Sequence, residues 1–356
     1  MANRTRREWL RAAGTAGIVG MAGCSSSGDT DNNEPTGTAE PADTDEAMET
    51  DEGEGSAPGS GAPMYRYDPA NTGAAQGETG PQSSISEQWA FETGGPVVSS
   101  PAVVDGTVYV GSRDNSVYAL AGADGSAQWT YQTEAGVSSS PAVVDGTVYV
   151  GSEDNSVYAL SAAEGSERWT FQTEGSVISS PAVVDGTVYV GSEDNSVYAL
   201  SAADGSARWT FETESIVISS PTVVDGAVYV GSYDNHVYAL AAADGSEQWT
   251  FGTRDTVSVS PAVVDNTVYV GGENVYSLSA TDGSELWNSE FGVSPAVVDG
   301  TVYVVRAGAI AALSASDGSE QWTYDTESRG LTSLPVVVNG TVYVSSGDNH
   351  IYALSE

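Results

Sequence analysis

Residues 140–169 read Ser-Pro-Ala-Val-Val-Asp-Gly-Thr-Val-Tyr-Val-Gly-Ser-Glu-Asp-Asn-Ser-Val-Tyr-Ala-Leu-Ser-Ala-Ala-Glu-Gly-Ser-Glu-Arg-Trp, and the same string returns along the chain with few changes. Trp89, Trp129, Trp169, Trp209, Trp249, Trp287 and Trp322 occupy one position of it. Pro101, Pro141, Pro181, Pro221, Pro261, Pro295 and Pro335 occupy a second, and Tyr109, Tyr149, Tyr189, Tyr229, Tyr269, Tyr303 and Tyr343 a third. The spacing is 40 residues through the first five copies and contracts after them. A fixed period of this length means one supersecondary unit per repeat. Such a unit cannot bury its own faces and must stack on its neighbours.

Within a copy, four strand-like runs alternate with turn signals. Residues 140–144 lead into Asp145-Gly146, a two-residue hairpin signal. Residues 147–151 are β-branched and aromatic and end at Asp154-Asn155; residues 156–160 and 168–173 flank Glu164-Gly165. Gly and Asp-Gly recur too often for helices. Four antiparallel strands in about 40 residues describe a propeller blade. The predicted fold is therefore all-β, a seven-bladed β-propeller of four-stranded blades over residues 63–356. The Trp89 strand precedes the first Ser-Pro strand, and residues 350–354 follow the last Pro without a Trp strand of their own. The expectation is that residues 89–93 complete the last blade and close the ring, removing a sheet edge. Each repeat Trp is expected to wedge between blades as a docking residue, not to form a carbohydrate platform.

Two segments precede that domain. Thr5-Arg6-Arg7-Glu8-Trp9-Leu10-Arg11 resembles a twin-arginine export signal, and Met21-Ala22-Gly23-Cys24 resembles a lipobox. Residues 1–23 are read as that signal, with Cys24 lipidated after cleavage. Cys24 is the only cysteine, so the chain has no internal disulfide. Residues 24–62 are Ser, Gly, Thr, Pro, Asp and Glu with Met48 the one large apolar residue, a composition that reads as a disordered acidic linker. Export and anchoring to the outer face of the cytoplasmic membrane follow as expectations.

The 49 acidic residues face 11 basic ones, all Arg, for a net charge of −38. A nucleic-acid footprint is excluded. Carboxylates spread over every repeat fit a surface adapted to high salt, where a Debye length of about 3 Å at 1 M silences like-charge repulsion. Export signal, lipobox and acidity together resemble a haloarchaeal lipoprotein.

Ala123-Asp124-Gly125-Ser126-Ala127-Gln128-Trp129 and its copies resemble the tryptophan-docking motif of PQQ-like repeat propellers. Tyr65-Arg66-Tyr67-Asp68-Pro69-Ala70-Asn71-Thr72-Gly73 resembles the segment ahead of the first blade in the same group. The resemblance covers Tyr65 to the C-terminus and implies the fold, not an activity. The superfamily includes quinoprotein dehydrogenases, which hold PQQ with Ca²⁺, and cofactor-free outer-membrane assembly lipoproteins. The dehydrogenases stack the quinone on a disulfide of adjacent cysteines, which a chain with one Cys cannot make. The primary reading has no cofactor and no catalytic or metal site. It is a cell-surface binding or scaffold lipoprotein with a monomeric propeller. A PQQ-dependent oxidoreductase and an envelope protein-assembly factor are the alternatives.

Function then belongs where copies depart from consensus. Strand order places the Asp-Asn turns and the blade-to-blade loops on one face and the Asp-Gly turns on the other. On the first face the departures are Arg113, Tyr233, His236, Arg254, Asp255, Arg306, Arg329 and His350. These form the candidate interaction face for an unidentified protein or small ligand. His236 and His350 share one offset three blades apart and are read as turn residues, since Zn²⁺ needs ligands at about 2 Å from one point. Asp154-Asn155-Ser156 is read as turn chemistry, not a Ca²⁺ site. The Ser pairs before each Pro, such as Ser139-Ser140, are expected to ring the channel mouth, where crowding favours small residues.

Overall fold

The computed structural model describes Asp68 and residues 89–356, except 273, 291–292, 307–308, 326–335, 339–340, 346–350 and 355–356. All belong to the compact unit Ser56–Glu356. The predicted signal, Cys24, the linker, Arg329 and His350 lie outside the described residues.

The described residues hold 27 strands and no helix. They form seven consecutive antiparallel sheets, six of four strands and one of three. The second sheet is representative: Ala142–Val144, Thr147–Gly151, Ser156–Ser161 and Glu167–Gln172, each paired with the next in chain order. The short inner strands of successive sheets touch one another in series, so the sheets fan outward from a common line.

Local chemistry sets each turn. Asp145 and Gly146 adopt φ of 49° and 67°, the paired left-handed conformation of a two-residue hairpin. In the fifth sheet Asn266 replaces that Gly and takes φ 59°, as Asn tolerates the left-handed region. The Asp-Asn turn likewise ends on Asn155 at φ 68°.

Burial follows the layering. Thr147–Gly151 is buried throughout, because the second strand is covered on both faces. Glu167–Gln172 alternates, with Trp169 as its one buried residue. A register shift at Ala159/Leu160, repeated at the same place in the other four-stranded sheets, bulges the outer strand beside its Trp. The core is a series of inter-sheet layers. In one, Tyr149, Val157, Ala159 and Trp169 of the second sheet pack on Val177, Val183, Val188, Val190 and Leu200 of the third.

The seventh sheet comprises Val336–Val338, Thr341–Ser345 and Ile351–Leu354. Its expected fourth strand is not seen: among the described residues, 89–93 carry no ladder. What that segment does contact is the first sheet. Trp89 Nε1 donates to Gly122 O at 2.8 Å, and Gly94 N–H to Asp114 Oδ2 at 2.7 Å.

Candidate interaction face

The Asp-Asn turns and the inter-sheet loops share one end of the sheets, and in the first four copies they are tied together by one carboxylate. Asp114, Asp154, Asp194 and Asp234 each accept, on Oδ2, a loop N–H from Gly94, Glu134, Glu174 and Glu214 at 2.7–2.9 Å. The same oxygens accept the hydroxyls of Tyr118, Tyr158, Tyr198 and Tyr238 at 2.8–2.9 Å. Burial and these carboxylates together push the Tyr158 and Tyr198 hydroxyls up to about 12. Burial works to raise the Asp114 carboxyl, but hydrogen bonds from Tyr118, Ser116, Gly94 and Ser112 outweigh it and hold it below the ordinary value. The consensus Asp is thus committed to the fold. Oδ1 accepts an N–H from Ser196 in Asp194 and from His236 in Asp234, while in Asp114 and Asp154 it is buried without a partner.

Copies five and six dismantle this device. The fifth retains Tyr276 but has no turn Asp, and the Tyr276 hydroxyl itself takes the loop N–H, from Arg254 at 3.3 Å. The sixth has Ala311 in place of the Tyr.

The predicted face residues divide into two groups. Arg113 is occupied between the first and second sheets: its Nε donates to Ser138 Oγ at 3.0 Å and lies 3.6 Å from Glu153 Oε1. Tyr233, His236, Arg254 and Asp255 gather at the end of the fourth sheet, in its turn and its exit loop. His236 Nδ1 lies 3.0 Å from Asp234 O and 3.4 Å from Asp234 Oδ1, with the His side chain 40% exposed. Arg254 is exposed, and Asp255 and Tyr233 are half-buried. Arg306 ends the second strand of the sixth sheet, paired with Ala309. Among the described residues no group of three or more His, Cys, Asp or Glu is arranged to hold a metal.

Three features escaped the sequence reading. Gly252 pairs with His236 across the outer strand, and a Cβ there would lie 3.6 Å from His236 Nε2. The fourth sheet therefore has a His/Gly pair where the second has Ser156/Gln172, and a Cβ at Gly252 would be in ordinary contact with the ring. On the opposite face Arg168 clasps its hairpin, through Thr147 Oγ1 at 2.6 Å and Gly146 O at 2.9 Å, and Arg208 repeats this. The Ser pairs are also more than small. Ser100, Ser140, Ser180 and Ser220 each donate N–H to the next sheet's Ser140, Ser180, Ser220 and Ser260 Oγ at 2.8–3.0 Å. A side-chain chain of hydrogen bonds thus runs from sheet to sheet along the inner strands.

The family described as "Outer membrane protein assembly factor BamB" matches residues 82–169, 134–216, 153–291 and 271–356. Among solved structures, BamB from Moraxella catarrhalis is similar with a TM-score of 0.64 at 21% identity, covering 72% of this chain and 84% of that one. The computationally designed Ika8 protein is similar with a TM-score of 0.59 at 14% identity, covering 76% and 99%. At such identities the likeness is one of fold. No curated protein matches.

Proposed function

The chain belongs to the family described as outer membrane protein assembly factor BamB, and on that footing we propose that it is a non-catalytic propeller scaffold, tethered outside the cell through a lipidated Cys24, that binds protein segments on its Asp-Asn turn face. One observation carries this reading. The consensus Asp of that face is spent on the fold, Asp234 included, and the fourth-sheet sector adds beside it Tyr233, His236 and an exposed Arg254 where the second copy has Glu153, Ser156 and Glu174. Loops are where a rigid scaffold keeps its recognition chemistry. Aromatic and Arg side chains are the types that anchor protein interfaces.

The family's printed description favours one specific version, an assembly factor for envelope proteins, and we hold it as the second reading. The oxidoreductase reading lacks the adjacent-cysteine pair on which the quinone would stack, since Cys24 stands alone.

The test is capture of partners from native membranes at high salt with wild type and with Y233A/H236A/R254E. Loss of specific partners from the variant is expected; retention of every partner overturns the sector assignment. In the same cells Cys24→Ser should move the protein from the membrane to the soluble fraction. Accumulation of misassembled envelope proteins on depletion would select the assembly-factor version.

A further inference from the structure

At the loop end of the second sheet, Gly136 and Ser138 of the entry loop lie against the turn residue Glu153. Glu153 N–H donates to Gly136 O at 2.8 Å, and its Oε1 accepts the Ser138 hydroxyl at 2.6 Å. A Cβ on Gly136 would come within 3.3 Å of Glu153 Cδ. The turn residue also reaches across a joint: Arg113, its equivalent in the first sheet, donates from Nε to Ser138 Oγ at 3.0 Å. Each sheet thus presents a triad of two entry-loop residues and one turn residue, and the turn residue borders the triad of the next sheet.

The triads differ in chemistry. The first is Pro96, Val98 and Arg113, the second Gly136, Ser138 and Glu153, and the third Ser176, Ile178 and Glu193. The fourth is Ile216, Ile218 and Tyr233, with Tyr233 N–H on Ile216 O at 3.0 Å and all three residues half-buried. It is the one triad of these four without a charged side chain. Packing between sheets does not demand the two Ile, because Val217 between them already fills the seat on Gly191, as Val137 does on Gly111.

Charge changes at the border of the same triad. The loops leaving the first three sheets expose Glu134, Glu174 and Glu214, whereas the loop leaving the fourth exposes Arg254. That loop also carries Ser258, which stands to Tyr233 as Ser138 stands to Arg113. Arg113 is held by Glu153 at 3.6 Å, but among the described residues no carboxylate comes within ion-pair distance of Arg254.

We infer that the fourth-sheet sector docks an extended protein segment carrying an apolar side chain and, within a few residues, a carboxylate. The apolar group seats on Ile216, Ile218 and Tyr233, and the carboxylate pairs with Arg254. This rests on the reading of the face as a surface for protein segments and names the chemistry of the segment. Apolar burial beside an Arg is the composition of an interface anchor, and Arg can give a carboxylate two parallel hydrogen bonds. The flanking Glu174, Glu193 and Glu214 repel the same carboxylate, so the sector also fixes where along the face the segment sits.

Fluorescence anisotropy with the full chain in molar NaCl tests this, using the labelled peptide Ser-Leu-Phe-Glu-Glu-Ser. Three control peptides carry Gln for both Glu, Lys for both Glu, or Ser for Leu and Phe. The first peptide should bind about tenfold more tightly than each control. The protein variants install residues that neighbouring sheets already accommodate: I216S/I218S the Ser of Ser176 and Ser138, and R254E the Glu of Glu134. R254E should abolish the preference for Glu over Gln, and I216S/I218S the preference for Leu-Phe over Ser. Equal binding of the four peptides by wild type, or binding of none, overturns the proposal, as do preferences unchanged in both variants. Binding of phosphatidylglycerol vesicles that R254E abolishes, without peptide binding, overturns it in favour of a lipid surface. Where the peptides fail to discriminate but capture from native membranes still requires the sector, this inference falls and the binding-face reading stands.

Discussion

The indole of Trp169 lies flat against Gly205 of the following sheet, where a Cβ would come within 2.6 Å of Trp169 Cε3. Trp169 Nε1 donates to Ala202 O at 2.9 Å, and the Tyr149 hydroxyl reaches the same carbonyl at 3.3 Å. The Gly205 backbone, at φ 73°, favours glycine independently of the ring above it. Two separate constraints thus fall on one residue, and both serve the joint between sheets.

Trp169→Ala should cost about 3–5 kcal/mol, since it removes a buried ring from an inter-sheet layer that cannot fully collapse. Trp169→Phe keeps most of the packing but leaves Ala202 O without its indole donor, for about 1 kcal/mol. Gly205→Ala should destabilise by more than about 1 kcal/mol, through the left-handed backbone and the overlap together. Urea unfolding of the three variants checks the order, and a Gly205→Ala change without effect would contradict the contact.

Ser180 is a second joint, of a different kind. Its Oγ accepts the buried N–H of Ser140 at 3.0 Å. Ser180→Ala leaves that N–H in a site closed to water and should cost about 1–3 kcal/mol. The equivalent change at an exposed Ser of the outer turns, such as Ser206, should cost less. Equal effects in thermal unfolding would mean that water satisfies the inner N–H.

How far the sequence could be read depended on periodicity. The positions of Trp169, Pro141 and Tyr149 in every copy fix strand order and sheet count, because identical strings must make identical layers. The hairpin at Asp145-Gly146 was legible for the same local reason. What stayed hidden were partners a period away in sequence but adjacent in space. Ser180 accepting from Ser140 looks like mere smallness in a string, as does Gly151 as the seat for Val177. Gly252 beside His236 was legible in principle as a paired departure, since both change in the same copy. The completing strand at 89–93 rested on counting strands alone: Trp89 and Gly94 meet the first sheet as the outer strand and exit loop of each earlier copy meet the next one, but no ladder to the seventh sheet is seen among the described residues.

Tyrosine titration sets an alkaline limit. The Tyr158 and Tyr198 hydroxyls sit near 12 in the folded protein, first through burial and then through hydrogen bonds involving Asp154 and Asp194. An unfolded Tyr titrates near 10. A raised folded value stabilises fully below about pH 10 and is lost as pH rises through about 12. Urea midpoints should fall steeply across that window, and Tyr198→Phe should flatten part of the fall. An unchanged slope in the variant would show that other groups govern the alkaline transition.

The opposite limit lies with the exposed turn carboxylates. Asp204, Asp244, Asp282 and Asp317 are each held below the ordinary Asp value, first by the hydroxyl and then by the N–H of the Ser two residues on. A depressed value contributes stability above the ordinary Asp range, about 3.9, and loses it as pH falls through the folded value. Asp204→Asn should therefore weaken the acid dependence while leaving the alkaline limb untouched. A matched loss at every pH would point to turn geometry in place of charge.

Salt should act on the whole assembly. The chain carries a net charge of −38, and the two-residue hairpin turns of the first six sheets bring Asp105, Asp145, Asp185, Asp225, Asp265 and Asp299 to one end. Screening extends over about 3 Å at 1 M salt but about 30 Å at 0.01 M, so dilution restores repulsion between turns of neighbouring sheets. Inter-sheet contacts such as Trp169 on Gly205 resist it. Transfer from molar NaCl to dilute buffer should lower the unfolding midpoint. A midpoint indifferent to NaCl would show that the acidic surface contributes nothing to salt adaptation.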